Sequence, residues 1–297
     1  MHAGQLTVSA DTVRALVDDQ FPQWRAQPIS AVVSHGTVNA IFRIGDHLAA
    51  RLPLEAAEGA DVVRNQLLSE ARAARQLVGR TRFPTPEPVA LGEPGAGYPL
   101  PWSVQTWLHG TVATERDPGE SDAFAIDLAD FISSVRAIDT GGLTFAGGGR
   151  GGNLQTHDDW IGTCLERSRG LLDVVALQRM WQSMRDLPRD TADVMTHGDL
   201  MPGNLLVSGE HLAGVLDVGG LAPADPALDL LCAWDVLETG PRRVLRAHLG
   251  CDDLEWQRGR AWAFEQAMGL VWYYVDSNPV MSQIGRRTLS RLAADPS

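Results

Sequence analysis

Short apolar runs punctuated by turns fill the first 108 residues, and three- to four-residue apolar spacing dominates the rest of the chain. Asp11 can cap a helix through Val13, Leu16 and Val17 toward Pro22. Residues 29–44 read as two strands around a tight turn at 34–39. Gly45 and Asp46 then turn the chain into a third strand, 47–52, ended by Pro53. Between Asp61 and Val78 the apolar positions Val62, Leu67, Ala71, Ala74 and Leu77 predict a helix, and Pro84, Pro86 and Pro88 stop it. Two further strands fit 89–91 and 102–108, with 92–101 as the loop between them. Beyond Gly110 a helix is predicted over 124–138, with Ile126, Leu128, Phe131, Ile132, Val135 and Ile138 on one broad face. Residues 141–153 are Gly-rich and read as a loop, and 160–187 as helical. Short strands and turns fit 195–218, and a helix fits 226–237. Residues 260–275 are apolar almost all round and read as a buried helix. The pattern predicts an α+β chain: an antiparallel β-sheet lobe with one helix over residues 1–106, then a larger, mainly α-helical lobe over 107–297.

Composition narrows the partners. The 297 residues suffice for two lobes with a sizeable core, and 44% hydrophobic with 21% charged residues is ordinary for a soluble protein. A formal net charge of −12 argues against nucleic acid, whose phosphates reward a basic face. It suits a cationic small molecule, although a surplus of acid also simply aids solubility. All 25 basic residues are arginine, so any cation that grips phosphate here must be Arg. Cys164, Cys232 and Cys251 are far apart without metal-ligand spacing, which fits a reducing compartment. No basic stretch with an apolar run opens the chain, and no long apolar window suggests a membrane span. The expectation is a cytoplasmic protein, monomer or homodimer, with no membrane or nucleic-acid partner.

The strongest chemical signal is the run His197-Gly198-Asp199-Leu200-Met201-Pro202-Gly203-Asn204, followed by a strand, a turn and a second strand ending in Asp217. Phosphoryl transfer from a nucleotide needs a carboxylate to orient the attacking hydroxyl, oxygen ligands for Mg2+, and cations for the phosphates. Asp199, Asn204 and Asp217 supply the oxygen inventory that a hard cation prefers. A hairpin with a His-Gly-Asp turn would use many of the same residue types, but not the downstream Asp225-Pro226 and Asp229 as well.

At these residues the chain resembles the aminoglycoside phosphotransferase family, small-molecule kinases related to protein kinases. The resemblance covers nearly the whole sequence and implies a bilobal protein-kinase-like fold. It implies Asp199 as catalytic base, Asn204 and Asp217 as Mg2+ ligands, and ATP or GTP as co-substrate. His197 and Asp229 would brace the catalytic loop. Ser34, Gly36 and Thr37 fall where a loop covers the phosphates. Arg51 aligns with the phosphate-pairing cation, where protein kinases carry Lys, and Glu70 would hold it by an ion pair. Gln105, Trp107 and Leu108 fall in the linker that meets the base. Acceptor candidates are Asp235, Glu238, Glu265 and Asp276, whose carboxylates would suit ammonium groups, and Tyr274, whose ring could stack on a sugar face. The implied acceptor is a small hydroxylated molecule, first an aminoglycoside-type antibiotic. A macrolide, a peptide antibiotic or a choline- or homoserine-like metabolite fits the same apparatus. A nucleotide-binding pseudokinase would not need Asp199, Asn204 and Asp217 together, and a metal-dependent phosphohydrolase would need more His or Asp ligands than the chain offers.

Overall fold

The computed structural model describes residues 6–32, 38–55 and 59–295. The chain divides into two compact units. One comprises Met1–Val78, Pro84–His109 and Leu216–Gly219; the other comprises Gly79–Phe83, Gly110–Val215 and Gly220–Ser297.

The first unit holds a five-stranded antiparallel sheet in the order β1-β2-β3-β5-β4. Its strands are β1 (Ile29–Val32), β2 (Asn39–Ile44), β3 (Leu48–Pro53), β4 (Pro88–Gly92) and β5 (Trp102–Thr106). Alternation sends Phe42 and Ile44 of β2, and Ala50 and Leu52 of β3, into a core that also holds Trp102 and Val104. Helix α1 (Ala10–Gln20) closes that core with Val13, Leu16 and Val17. Its N-cap is Ser9 rather than Asp11: the Ser9 hydroxyl accepts from Thr12 N at 3.1 Å, and Asp11 sits in the first turn. Helix α2 (Ala60–Leu77) buries Leu67, Ala74 and Leu77 as expected, while Val63 and Ala73 are buried instead of Val62, which faces solvent, and Ala71, which is half-buried. Strand β5 stops at Thr106, two residues short of the predicted end; Trp107 N still donates to His47 O at 2.7 Å, and Leu108 lies outside the strand.

The second unit is largely helical. Its elements are β6 (Thr111–Val112), α3 (Asp122–Arg136), α4 (Asp158–Arg167), α5 (Val174–Met184), β7 (Val194–Thr196), β8 (Leu205–Ser208), β9 (His211–Val215) and β10 (Ala222–Ala224). After these come α6 (Cys232–Asp235), α7 (Thr239–Leu249), α8 (Asp253–Tyr273) and α9 (Pro279–Ala294). β10 pairs with β7, and β6-β8-β9 form a three-stranded sheet. Helix α8 is buried nearly all round, with Trp262, Phe264, Ala267, Met268 and Val271 inside. It begins seven residues before the predicted start, where the Asp252 carboxylate accepts from Glu255 N at 2.8 Å. In α3, Phe124, Leu128, Phe131, Ile132 and Val135 are buried, but Ile126 is exposed. The helical stretch expected over 160–187 is formed by α4 and α5, and the Asp173 carboxylate caps α5 through Ala176 N at 3.1 Å. The predicted 226–237 helix is a 3-10 coil, Pro226–Leu231, leading into the single turn of α6. Every residue of that coil is buried, so packing on all sides replaces the amphipathic period. Among the described residues no helix is long and apolar enough to cross a membrane.

Candidate active site

In the second unit, β7 delivers the chain to the His197–Asn204 loop and β8 carries it away. The loop is stapled from below by Asp229, a fully buried carboxylate in the 3-10 coil. Its Oδ2 accepts from His197 N at 2.9 Å and its Oδ1 from Gly198 N at 2.8 Å. Two backbone donors that a tight turn would leave orphaned are thereby satisfied by an ionic acceptor. His197 is buried edge-on to Phe131, and its Nδ1 accepts from Asp199 N at 3.2 Å.

These anchors present Asp199 partly exposed at the tip. Asn204 Nδ2 donates to Asp199 Oδ2 at 3.0 Å and to Asp199 O at 2.9 Å, which ties the ends of the motif together. Asp199 Oδ1 accepts from Arg150 Nη2 at 2.9 Å and from Gln266 Nε2 at 2.7 Å. Sequence reasoning foresaw neither partner. The one signal for Arg150 is a long cation alone within the glycine run 147–152. A second missed group is Arg258 of α8, whose five N–H bonds reach Asp225 Oδ2 twice and the carbonyls of Leu187, Pro188 and Gly152. Trp262 Nε1 adds a bond of 3.0 Å to the same Asp225 oxygen.

The first unit brings Arg51, Glu70 and Asp217 together. Arg51 Nη1 donates to Glu70 Oε2 at 3.3 Å, and its Nη2 to Asp217 Oδ1 at 3.2 Å. Glu70 packs on Gly219, where a Cβ would lie 2.8 Å from its Cβ and Cγ. Gln105 lines a cavity of about 30 Å³ with Arg51 and Glu70. Trp107 packs under the Arg43 guanidinium, 5.3 Å from its carbon to the ring centre. Leu108 is half-buried. Ser34, Gly36 and Thr37 lie outside the described residues.

The acceptor candidates divide by environment. Asp235 is buried; its Oδ1 accepts from the Thr288 hydroxyl at 2.8 Å and its Oδ2 has no partner. Burial pushes its carboxyl up to about 7, against the Thr288 hydrogen bond and the Arg150 charge, which pull it down. It lines a cavity of about 420 Å³ in this unit, together with Thr114, Asp117, Pro202, Ile284 and Arg287. Glu238 caps α7 rather than riding on the helix that carries Asp235, and is held by Arg291 Nη2 at 2.5 Å. Glu265 is buried, with Oε1 2.9 Å from His157 Nδ1 and Oε2 4.0 Å from Arg150 Nε. Tyr274 ends α8 edge-on to Tyr273 and packs with Met201 and Ile284. Asp276 lies in the turn between α8 and α9.

The donor chemistry of the residues present fits a magnesium ion. Asn204 spends its amide nitrogen on Asp199, so its carbonyl oxygen is the atom it has to offer a cation. Asp217 adopts a left-handed backbone, φ 55°, and leaves a half-exposed carboxylate with one oxygen engaged by Arg51. Each offers a hard oxygen of the kind Mg2+ prefers. Among the described residues no group of three or more His, Cys, Asp or Glu side chains could hold a metal.

A strand-rich unit carrying an Arg-Glu-Asp cluster and a helical unit carrying a stapled Asp-Asn loop define an α+β protein of the protein-kinase-like class. The phosphotransferase enzyme family model matches residues 31–262, and the chain belongs to that family of small-molecule phosphotransferases. Among solved structures, aminoglycoside 2'-phosphotransferase-IIIa in its GDP complex is similar with a TM-score of 0.72 at 19% identity, over 97% of this chain and 99% of that one. The GDP and kanamycin complex of APH(2'')-IIia is similar with a TM-score of 0.70 at 21% identity, over 95% and 98%. The macrolide 2'-phosphotransferase MphH from Brachybacterium faecium, an apoenzyme, is similar with a TM-score of 0.63 at 17% identity, over 94% and 98%. No curated protein matches the chain significantly in sequence.

Proposed function

We propose that this protein moves the γ-phosphoryl group of ATP or GTP to a hydroxyl of a small amine-bearing molecule of the aminoglycoside type. One observation carries the reading: Asp199 is offered at the tip of a loop whose backbone is stapled by Asp229, with both carboxylate oxygens oriented by fixed donors. A reaction with a loose transition state asks the protein mainly to position and neutralise, and this carboxylate is positioned. The acceptor's hydroxyl donates to Asp199 and gives up its proton there as its oxygen bonds the γ-phosphorus. The bond from that phosphorus to the bridging oxygen breaks, and nucleoside diphosphate leaves.

Residues 1–106 form the nucleotide-binding lobe in this reading, and 107–297 carry the acceptor. Arg51 pairs with the nucleotide phosphates through its planar fork, and Glu70 keeps that fork in place. Ser34, Gly36 and Thr37 cover the phosphates, and the backbone from Gln105 to Leu108 meets the base. Asn204 and Asp217 would hold Mg2+, which when bound neutralises phosphate charge. The cavity beside Asp235 takes the acceptor in this reading; Tyr274 packs on Ile284 of its lining, Glu238 pairs with Arg287 of it, and Glu265 is kept as a further acceptor candidate.

A second acceptor reading rests on charge. Asp117 is paired with Arg287 at 2.6 Å and Glu238 with Arg291, while Pro202, Val280 and Ile284 give the cavity apolar walls. Carboxylates already neutralised attract a polycation weakly, so a larger, less charged alcohol of the macrolide type is favoured by this observation. Nucleotide turnover with Mg2+ should be assayed against kanamycin, other aminoglycosides and erythromycin. Acceptor-stimulated turnover that disappears in Asp199→Asn is the expected result. Turnover that survives that substitution would refute the mechanism, and stimulation by erythromycin alone would decide for the second acceptor class.

A further inference from the structure

Arg150 is the only side chain longer than a hydrogen in the run 147–152, yet it reaches the catalytic loop. Its Cα is held from one side. Asp225 N donates to Gly151 O at 2.9 Å, and Arg258 Nη2 donates to Gly152 O at 3.0 Å. Gly151 adopts φ +109°, and a Cβ there would lie 2.7 Å from Ala224 Cβ, so the approach admits glycine alone. On the other side Gly147, Gly148 and Gly149 have open space around them. The arginine therefore projects from a fixed wall, and its Nη2 also lies 3.3 Å from Gly198 O.

Gln266 meets the same carboxylate oxygen from helix α8. An ionised carboxylate offers about four lone-pair positions. Arg150 and Gln266 take two on Oδ1, and Asn204 takes one on Oδ2. The position left for an incoming hydroxyl is on Oδ2. Comparison with Arg258 separates this arrangement from ordinary structural satisfaction. Arg258 uses all of its N–H groups inside the protein. Arg150 Nη1 and Gln266 Oε1 are instead buried without a partner, which native cores avoid unless the group serves something else.

We propose that Arg150 and Gln266 form a clamp that positions the Asp199 carboxylate, turning the free face of Oδ2 toward the acceptor hydroxyl. They are positioning residues that act through Asp199, so the inference rests on the assignment of Asp199 as the base.

The test is steady-state nucleotide turnover with Mg2+, using kanamycin, erythromycin and water as acceptor probes. Arg150→Ala should lower kcat by about 10²-fold while the nucleotide KM changes little, as expected when orientation rather than binding is lost. Added guanidinium chloride should restore part of that rate in Arg150→Ala and not raise it in the unmodified enzyme. The Arg150→Ala, Asp199→Asn double variant should be no slower than Asp199→Asn alone, because the arginine has nothing left to position. Should Arg150→Ala fail to fold by circular dichroism, Arg150→Lys and Gln266→Leu replace it, each expected to lower kcat with the nucleotide KM kept. A folded Arg150→Ala with unchanged kcat, or additive losses in the double variant, would overturn the clamp. Full activity in Asp199→Asn would instead overturn the base assignment, and the clamp with it.

Discussion

Asp199 and Asp235 occupy one unit under opposite conditions, and their expected behaviour differs accordingly. Asp199 is partly exposed and takes three side-chain hydrogen bonds, so Asp199→Asn should leave the fold intact and lower turnover by about 10² to 10⁴-fold. Asp235 is buried with one hydroxyl for company, and burial raises its carboxyl to about 7 from the ordinary 3.8. Thr288, Arg150 and Arg291 pull it down, and the Asp199 charge pushes it up. The folded chain keeps this proton over a range where the unfolded chain has lost it. Native protein thus binds more protons between about pH 4 and pH 7, and this group's contribution to stability falls as pH rises through that window. Asp235→Asn should therefore raise Tm relative to the parent at pH 8 and change it little at pH 4. A Tm difference independent of pH would contradict the assignment. The three thiols make a simpler case. Burial pushes Cys164 up to about 11 and Cys251 up to about 12, and raises Cys232 as well. A thiol reagent at pH 8 should label none of them in the native protein and all three after denaturation.

At the scale of elements, the glycine run 147–152 allows a test within itself. Gly151→Ala places a Cβ against Ala224 at a left-handed φ, and should cost about 1–3 kcal/mol in urea unfolding. Gly148→Ala meets nothing and should be neutral or slightly stabilising. Equal effects would show that the wall contact at Gly151 does not matter. Strands β2 and β5 could be read from sequence because their inward residues, Phe42 and Ile44 in one and Trp102 and Val104 in the other, alternate. Helices α7 and α9 could not, because buried arginines break their apolar stripes. Arg242 of α7 is buried and donates to Ala233 O and Leu237 O, and Arg291 of α9 to Trp234 O and Asp235 O. A charge at an inward position reads as solvent-facing until its carbonyl partners are known. The early start of α8 was hidden in the same way by Arg258. In the His197–Asn204 loop, Asp199 and Asn204 could be read because they are close in sequence. Arg150 and Gln266 lie 49 and 67 residues from Asp199 and meet it only in the fold.

Across the whole molecule, arginine does work that most chains divide between two residues. Arg258 and Asp225 form a buried pair at 2.5 Å that ties α8 to the 3-10 coil and to the end of the glycine run. Arg258→Ala would leave the Asp225 charge buried without its cation and should cost about 3–5 kcal/mol in chemical denaturation. Arg258→Ala with Asp225→Asn should recover part of that loss; if the double variant is no better, the pair is not coupled. The phosphate grip proposed for Arg51 follows the same habit, since the 297 residues contain no lysine. This has a practical corollary. Reagents that profile kinases by acylating the amine beside a bound nucleotide have no such amine to react with here. An enzyme built this way would pass unlabelled through an amine-directed survey while turning over nucleotide in the same tube.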